Sequence, residues 1–165
     1  MQAIGGKTVR VQLARWILLS AHVLAGAAWF GAMLYSLVVL HPRARSFFGD
    51  IARFEEFVTW LAAEARWKVL GGAAFIALTG IGLLLLPSQE TRPALFYPCV
   101  YAKAVLFVIA VGLFCYTSWV LWPARVMASE KEIPKFHRTF RLVAITLLLL
   151  VGASMAIGVV SSHLE

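Results

Sequence analysis

Four long apolar runs, almost free of charge, constrain most strongly how this chain can fold. They cover about residues 15–40, 67–86, 99–122 and 140–160. A helix of about 20 residues crosses a hydrocarbon core about 30 Å thick, so each run is long enough to span a membrane. Only helices and closed barrels span lipid, and the runs show no alternation of polar and apolar residues. The sequence therefore predicts an all-α integral membrane bundle of four transmembrane helices, in one domain over 1–165.

The composition fits a protein dissolved in a lipid bilayer. The chain is 61% hydrophobic and 14% charged, whereas soluble domains are about 45–50% apolar and about 25% charged. The net charge of +7 comes from basic residues that flank the spans. No separate soluble domain carries them, so we expect anionic lipid and no nucleic acid as the partner.

The segments between the spans also carry predictions. Pro42 and Pro123 follow the first and third runs, and we expect the helices to end there. Residues Ser46–Arg66 combine apolar residues at helical spacing with charged ones, which predicts an amphipathic interfacial helix between helices one and two. No internal repeat is apparent. The stretch from Lys7 to Ala27 resembles a signal peptide, but its apolar run continues to Leu40, which favours a retained span.

The distribution of Lys and Arg predicts the orientation. Ten of them lie in the two loops that join helices one to two and three to four, and four lie on the opposite side. Cytoplasmic loops carry the excess of basic residues. We therefore expect a protein of the bacterial inner (plasma) membrane with both termini facing outward, toward the periplasm.

His22 is the strongest candidate for chemistry, because ionisable residues inside spans are functional by default. Gly26 and Trp29 share its helix face, and a glycine one turn from a histidine leaves room for a flat macrocycle such as haem b. The alternative is a histidine hydrogen-bonded to a neighbouring helix. The small pair Ala27 and Gly31 fits that alternative, since small residues permit close helix packing.

Copper is a second candidate ligand of His22. Imidazole and thioether groups both bind copper, so Met33, on the same helix face, and Met155, on the last helix, are candidate metal ligands with His22.

Lys103 is the only charge inside a span, near the start of the third helix, in the same leaflet as His22. It could pair with a propionate or another anionic group, or extend its amine to the interface. His41 and His137, at the cytoplasmic helix ends, could form a second metal or haem site or be ordinary interfacial histidines. No Asp or Glu lies within a predicted span and no catalytic motif is present, so any chemistry requires a bound cofactor or metal.

Helix one reads His22-Val-Leu-Ala-Gly-Ala-Ala-Trp29-Phe-Gly-Ala-Met-Leu-Tyr35. This resembles the first helix of a superfamily of small membrane proteins that includes the copper resistance D (CopD) domain and the HemJ type of protoporphyrinogen oxidase. A lysine early in the third helix, here Lys103, is a second shared feature. Where HemJ-type proteins carry Asn-Glu-Val-Pro, residues 140–143 read Phe-Arg-Leu-Val. The resemblance implies a four-helix relative that binds haem through His22.

Three functions remain open at this point. The first is a haem-binding protein in redox chemistry or electron transfer, and the second is a copper transport or resistance protein. The third is an accessory subunit without a cofactor, in a larger membrane complex or a homo-oligomer, where glycine-rich helix faces would serve association. Whether the protein is an enzyme is undecided by the sequence.

Overall fold

A computed structural model describes the backbone of residues 2–86, 94–129 and 131–161. Six α-helices and two short π-helical segments follow one another: α1 (Gln2–Tyr35), π1 (Ser36–Leu40), α2 (His41–Phe48), α3 (Ile51–Leu85), α4 (Phe96–Tyr116), π2 (Thr117–Leu121), α5 (Trp122–Val126) and α6 (Ile133–Ser161). Within these ranges there is no strand. The all-α prediction is confirmed.

Four helical stretches are long and apolar enough to cross a membrane, which confirms the predicted number of spans. They run over Val9–Phe48, Ile51–Leu85, Phe96–Val126 and Ile133–Ser161. Large apolar side chains on them are widely exposed; Trp16, Leu78 and Val108, for example, are 68, 68 and 67% exposed. Such extensive apolar exposure is stable in lipid but not in water.

The expectation that Pro42 and Pro123 end the first and third helices is wrong. Helical structure continues through both prolines, to Phe48 and Val126. Proline lacks an N–H and collides with the carbonyl four residues before it. In both places the chain adopts π geometry just ahead of the proline, and the N–H groups of His41 and Trp122 bond the carbonyls of Ser36 and Thr117. The wider turn accommodates the proline without ending the helix.

The interfacial helix predicted over Ser46–Arg66 is not observed as a separate element. Its first residues end α2, and its remainder is the first half of the continuous helix α3. Phe54 and Val58 are buried in the bundle, so this part of α3 extends the span. Gly49 makes the tight turn between α2 and α3 with a φ of 62°, a conformation that glycine adopts without steric cost.

The start of α6 is fixed by a local hydrogen-bond pair. The Ser129 hydroxyl and backbone N–H donate to the Glu132 carboxylate at 2.7 and 3.0 Å. These bonds lower the pKa of this exposed carboxyl below its usual value, and the bond from the hydroxyl has the larger effect. The reciprocal bond from the Glu132 N–H to the Ser129 carbonyl closes the turn that leads into the helix.

The bundle consists of two packed helix pairs. Helix α3 lies along α1, helix α4 lies along α6, and α1 also packs against α6. We call α1–α3 the first hairpin and α4–α6 the second hairpin. The core between them is formed by Ala110, Leu147 and Val151, against which Trp29, Phe30 and Met33 of α1 pack. We call the end of the bundle where α1 begins and α6 ends the terminal end, and the opposite end, where α2 leads into α3 and α5 precedes α6, the loop end.

Candidate functional site

His22 is hydrogen-bonded to the neighbouring helix α3, as the alternative prediction for this residue stated. Its Nδ1 lies 3.0 Å from the backbone carbonyl oxygen of Ile76 and 3.0 Å from the Thr79 hydroxyl. The Thr79 hydroxyl itself donates to the Phe75 carbonyl at 2.8 Å. A carbonyl oxygen only accepts, so Nδ1 carries the proton and donates. In the neutral imidazole Nε2 is therefore left with a free lone pair.

The packing of α3 against α1 depends on a glycine beside this imidazole. A Cβ atom at Gly80 would lie 3.2 Å from His22 Cε1. One residue earlier, Thr79 is buried and satisfies its own hydroxyl within α3. Gly80, which is small, and Thr79, which is polar, together let His22 Nδ1 reach the backbone of α3.

Lys103 of the second hairpin lies toward the same end of the bundle as His22. Its side chain is half-buried, and its Nζ lies 3.1 Å from the position of a Cβ at Gly158 on α6. The two candidate residues, one from each hairpin, thus belong to one region near the terminal end.

The two other predicted cofactor-binding residues have different surroundings. Gly26 is half-buried, yet a Cβ there would meet no atom within 4 Å, so space is open beside it. Trp29 instead contacts Phe107 edge-on at a centroid distance of 6.1 Å and packs on the core. Gly26 therefore fits a ligand-facing position, and Trp29 helps to join the hairpins.

The predicted methionine ligands are not gathered around His22. Met33 packs against the central core, and eleven residues of continuous helix separate it from His22 by about 16 Å along the axis. The two side chains are too far apart to bind one ion. The role of Met155 as a metal ligand stays a prediction. Among the described residues, no three His, Cys, Asp or Glu side chains are grouped to hold a metal.

A charged cluster at the loop end was not anticipated from the sequence. Glu55 of α3 accepts hydrogen bonds from Arg125 of α5, whose Nε lies at 3.0 Å, and from His137 Nε2 of α6 at 2.6 Å. We call Glu55, Arg125 and His137 the loop-end clamp. The Arg125 side chain is 6% exposed and also lies over the rings of Trp122 and Phe140. The clamp joins the two hairpins.

The second metal or haem site predicted at His41 and His137 stays a prediction. The ring of Phe54 contacts both imidazoles, each at a centroid distance of 6.3 Å. His137 also bonds to Glu55. One sequence signal could have pointed to Glu55, namely its position between the apolar residues Phe54 and Val58. Both of these residues are buried in the structure.

No family model, curated protein or solved structure matches this chain. Chemistry is carried by individual sites and not by folds, so the residues around His22 bear most directly on function.

Proposed function

We propose that this CopD/HemJ-like membrane protein binds b-type haem through Nε2 of His22 and acts in redox chemistry or electron transfer. The observation that supports this most directly is the bond from His22 Nδ1 to the Ile76 carbonyl. Histidines that ligate metals usually donate their other ring N–H to a carbonyl or carboxylate, which fixes the tautomer and the ring orientation.

The neighbouring residues fit the same group. The open space beside Gly26 would admit the edge of a macrocycle. The half-buried Lys103 ammonium would pair with a propionate, which compensates a charge that is otherwise costly within a membrane. A bound haem would supply a centre for reversible one-electron transfer, while this chain would orient the imidazole and neutralise the carboxylate.

A visible absorption spectrum of the detergent-purified protein tests this proposal. We expect a Soret band in the oxidised protein and a sharpened α band after reduction with dithionite. Copper retained by a colourless preparation would instead support copper transport or resistance. A colourless, metal-free protein that also fails to bind added haemin would contradict the haem proposal.

One observation favours a second candidate, an accessory subunit of a larger complex. Ala27 and Gly31 are exposed on α1, and nothing lies within 4 Å of a Cβ at Gly31. These small residues do not mediate packing within the chain, so their face is available for a helix of a partner. Purification in mild detergent distinguishes the two functions, because an accessory subunit would retain a stoichiometric partner and no haem.

We further propose that the protein lies in the bacterial inner membrane with its terminal end facing the periplasm, as the excess of basic residues at the loop end favours. Alkaline phosphatase needs the oxidising periplasm to fold. A fusion after Glu165 is therefore expected to be active, and a fusion within residues 127–132 inactive. The reverse pattern would invert the orientation.

A further inference from the structure

Two segments of twelve residues, each of which contains one of the π-helical stretches, have similar sequences. Gly31-Ala-Met-Leu-Tyr-Ser-Leu-Val-Val-Leu-His-Pro42 aligns without gaps on Gly112-Leu-Phe-Cys-Tyr-Thr-Ser-Trp-Val-Leu-Trp-Pro123. Glycine, tyrosine, valine, leucine and proline recur at the same places, and serine is replaced by threonine. Segments π1 and π2 occupy identical positions in the two sequences.

The same register relates the two candidate site residues. Pro123 follows Pro42 by 81 residues, and Lys103 follows His22 by the same number. Each side chain packs against a glycine on the second long helix of its own hairpin: His22 against Gly80, and Lys103 against Gly158. Equivalent positions in the two hairpins thus carry an imidazole and an ammonium in similar surroundings.

The two hairpins run in the same direction through the membrane, because each begins at the terminal end and turns at the loop end. Parallel repeats of this kind are related by an axis along the membrane normal, and membrane proteins built from repeats often place their ligand at the interface between them. For this chain that interface contains both His22 and Lys103.

The contacts that join the two hairpins lie at the centre of the bundle and at the loop end. In the described part of the chain, the centre is filled by Trp29, Phe30 and the core on α4 and α6. The loop end is joined by the clamp and by the contact of Trp67 with Trp119. Nearer the terminal end, His22 bonds to α3, Leu18 lies against Gly82 of α3, and Lys103 lies against Gly158 of α6, each within its own hairpin.

From these placements we infer that the chain is a tandem duplication of one membrane hairpin and binds its ligand between the two copies, with His22 of the first and Lys103 of the second on opposite sides. This rests on the proposed function for the ligand class. A neutral imidazole nitrogen, an ammonium and the open space beside Gly26 suit a flat, largely apolar molecule with a carboxylate, that is, an anionic tetrapyrrole.

Matched glycine substitutions test the inference. Gly80→Ala would press on the His22 ring, and Gly158→Ala would displace the Lys103 ammonium. Gly112→Ala is the control, because a Cβ there meets nothing within 4 Å. Each purified protein is titrated with haemin, followed by absorbance, and with metal-free protoporphyrin IX, followed by fluorescence. Lys103→Met, which keeps the length but removes the charge, tests the second hairpin independently.

We expect Gly80→Ala and Gly158→Ala each to weaken haemin binding by about 10–100-fold, the range for residues that position a ligand, and Gly112→Ala to leave it unchanged. Only Gly80→Ala should shift the absorption bands, because only it alters the ligating imidazole. Lys103→Met should weaken binding of both porphyrins.

The outcomes separate this inference from the proposed function. Haemin binding that depends on Gly80 but is unaffected by both Gly158→Ala and Lys103→Met would overturn the shared site and leave the haem proposal standing. Binding of metal-free protoporphyrin that depends on Lys103, without any haem spectrum, would support the shared site and overturn the haem proposal. Failure of the wild-type protein to bind either porphyrin would overturn both.

Discussion

Replacing His22 with alanine is expected to remove bound haem, so that His22→Ala purifies without a Soret band. The substitution deletes the proposed axial nitrogen, and the other described histidines, His41 and His137, lie at the loop end. Thr79→Val should have a smaller effect. It removes one acceptor for Nδ1 but leaves the Ile76 carbonyl, so we expect haem affinity to fall by about 10–100-fold.

His41→Ala is the matched control for this experiment. It also removes a histidine from α1–α3, but at the loop end, where the side chain is exposed. Haem content should remain at the wild-type level, and circular dichroism should show that both variants keep their helices. Retention of haem by His22→Ala together with its loss from His41→Ala would move the site to the loop end.

The second large effect is expected on stability, when Glu55 is replaced with glutamine. The substitution leaves the Arg125 guanidinium, 6% exposed, without its counter-charge, and His137 loses its acceptor carboxylate. Removal of one partner from a buried ion pair costs about 3–5 kcal/mol. Glu55 is 20% exposed, which places the expected loss in the free energy of unfolding near the lower end, at about 3 kcal/mol. Denaturation in detergent micelles measures it.

Glu64→Gln is the control for the loop-end clamp. Glu64 lies on the same helix and pairs with Lys68 at 3.5 Å, but these side chains are 59 and 77% exposed. Exposed pairs at this spacing contribute about 0.3–0.5 kcal/mol. A double variant gives a further test. The free energy of unfolding lost in Glu55→Gln/Arg125→Met should be smaller than the sum of the losses in the two single variants, since neither charge is then left buried alone. Equal losses in Glu55→Gln and Glu64→Gln would show that the clamp does not hold the hairpins together.

The loop-end clamp shows why part of the architecture could not be read from single positions. Glu55 appears in the sequence as one of several charges in an amphipathic stretch, and Arg125 as one of several loop arginines. Their pairing across 70 residues depends on how α5 passes beside α3. Neither residue carries a local signal of its partner, so only the packing of the two hairpins selects this pair from many possible ones.

At Pro42 and Pro123 a local rule predicts a helix end that the structure does not have. Proline disrupts α-helical hydrogen bonding, but π1 and π2 supply carbonyls one residue further back. Within lipid, ending a helix would expose unsatisfied backbone groups, so rerouting the bonds is favoured over stopping the helix. The repeated proline was visible in the sequence, and the equivalence of its two surroundings became evident from the paired π segments.

The sequence by itself determined the four spans and the all-α class, because transfer of apolar side chains into lipid and satisfaction of backbone groups within one helix are local properties. It also identified His22 and Lys103, because ionisable groups are rare in apolar spans. Only the tertiary structure decided that Ile76 and Thr79 orient the imidazole, that Met33 packs on the central core, and that Glu55 joins the hairpins. These depend on helix register and neighbours, which side-chain packing across the whole chain sets.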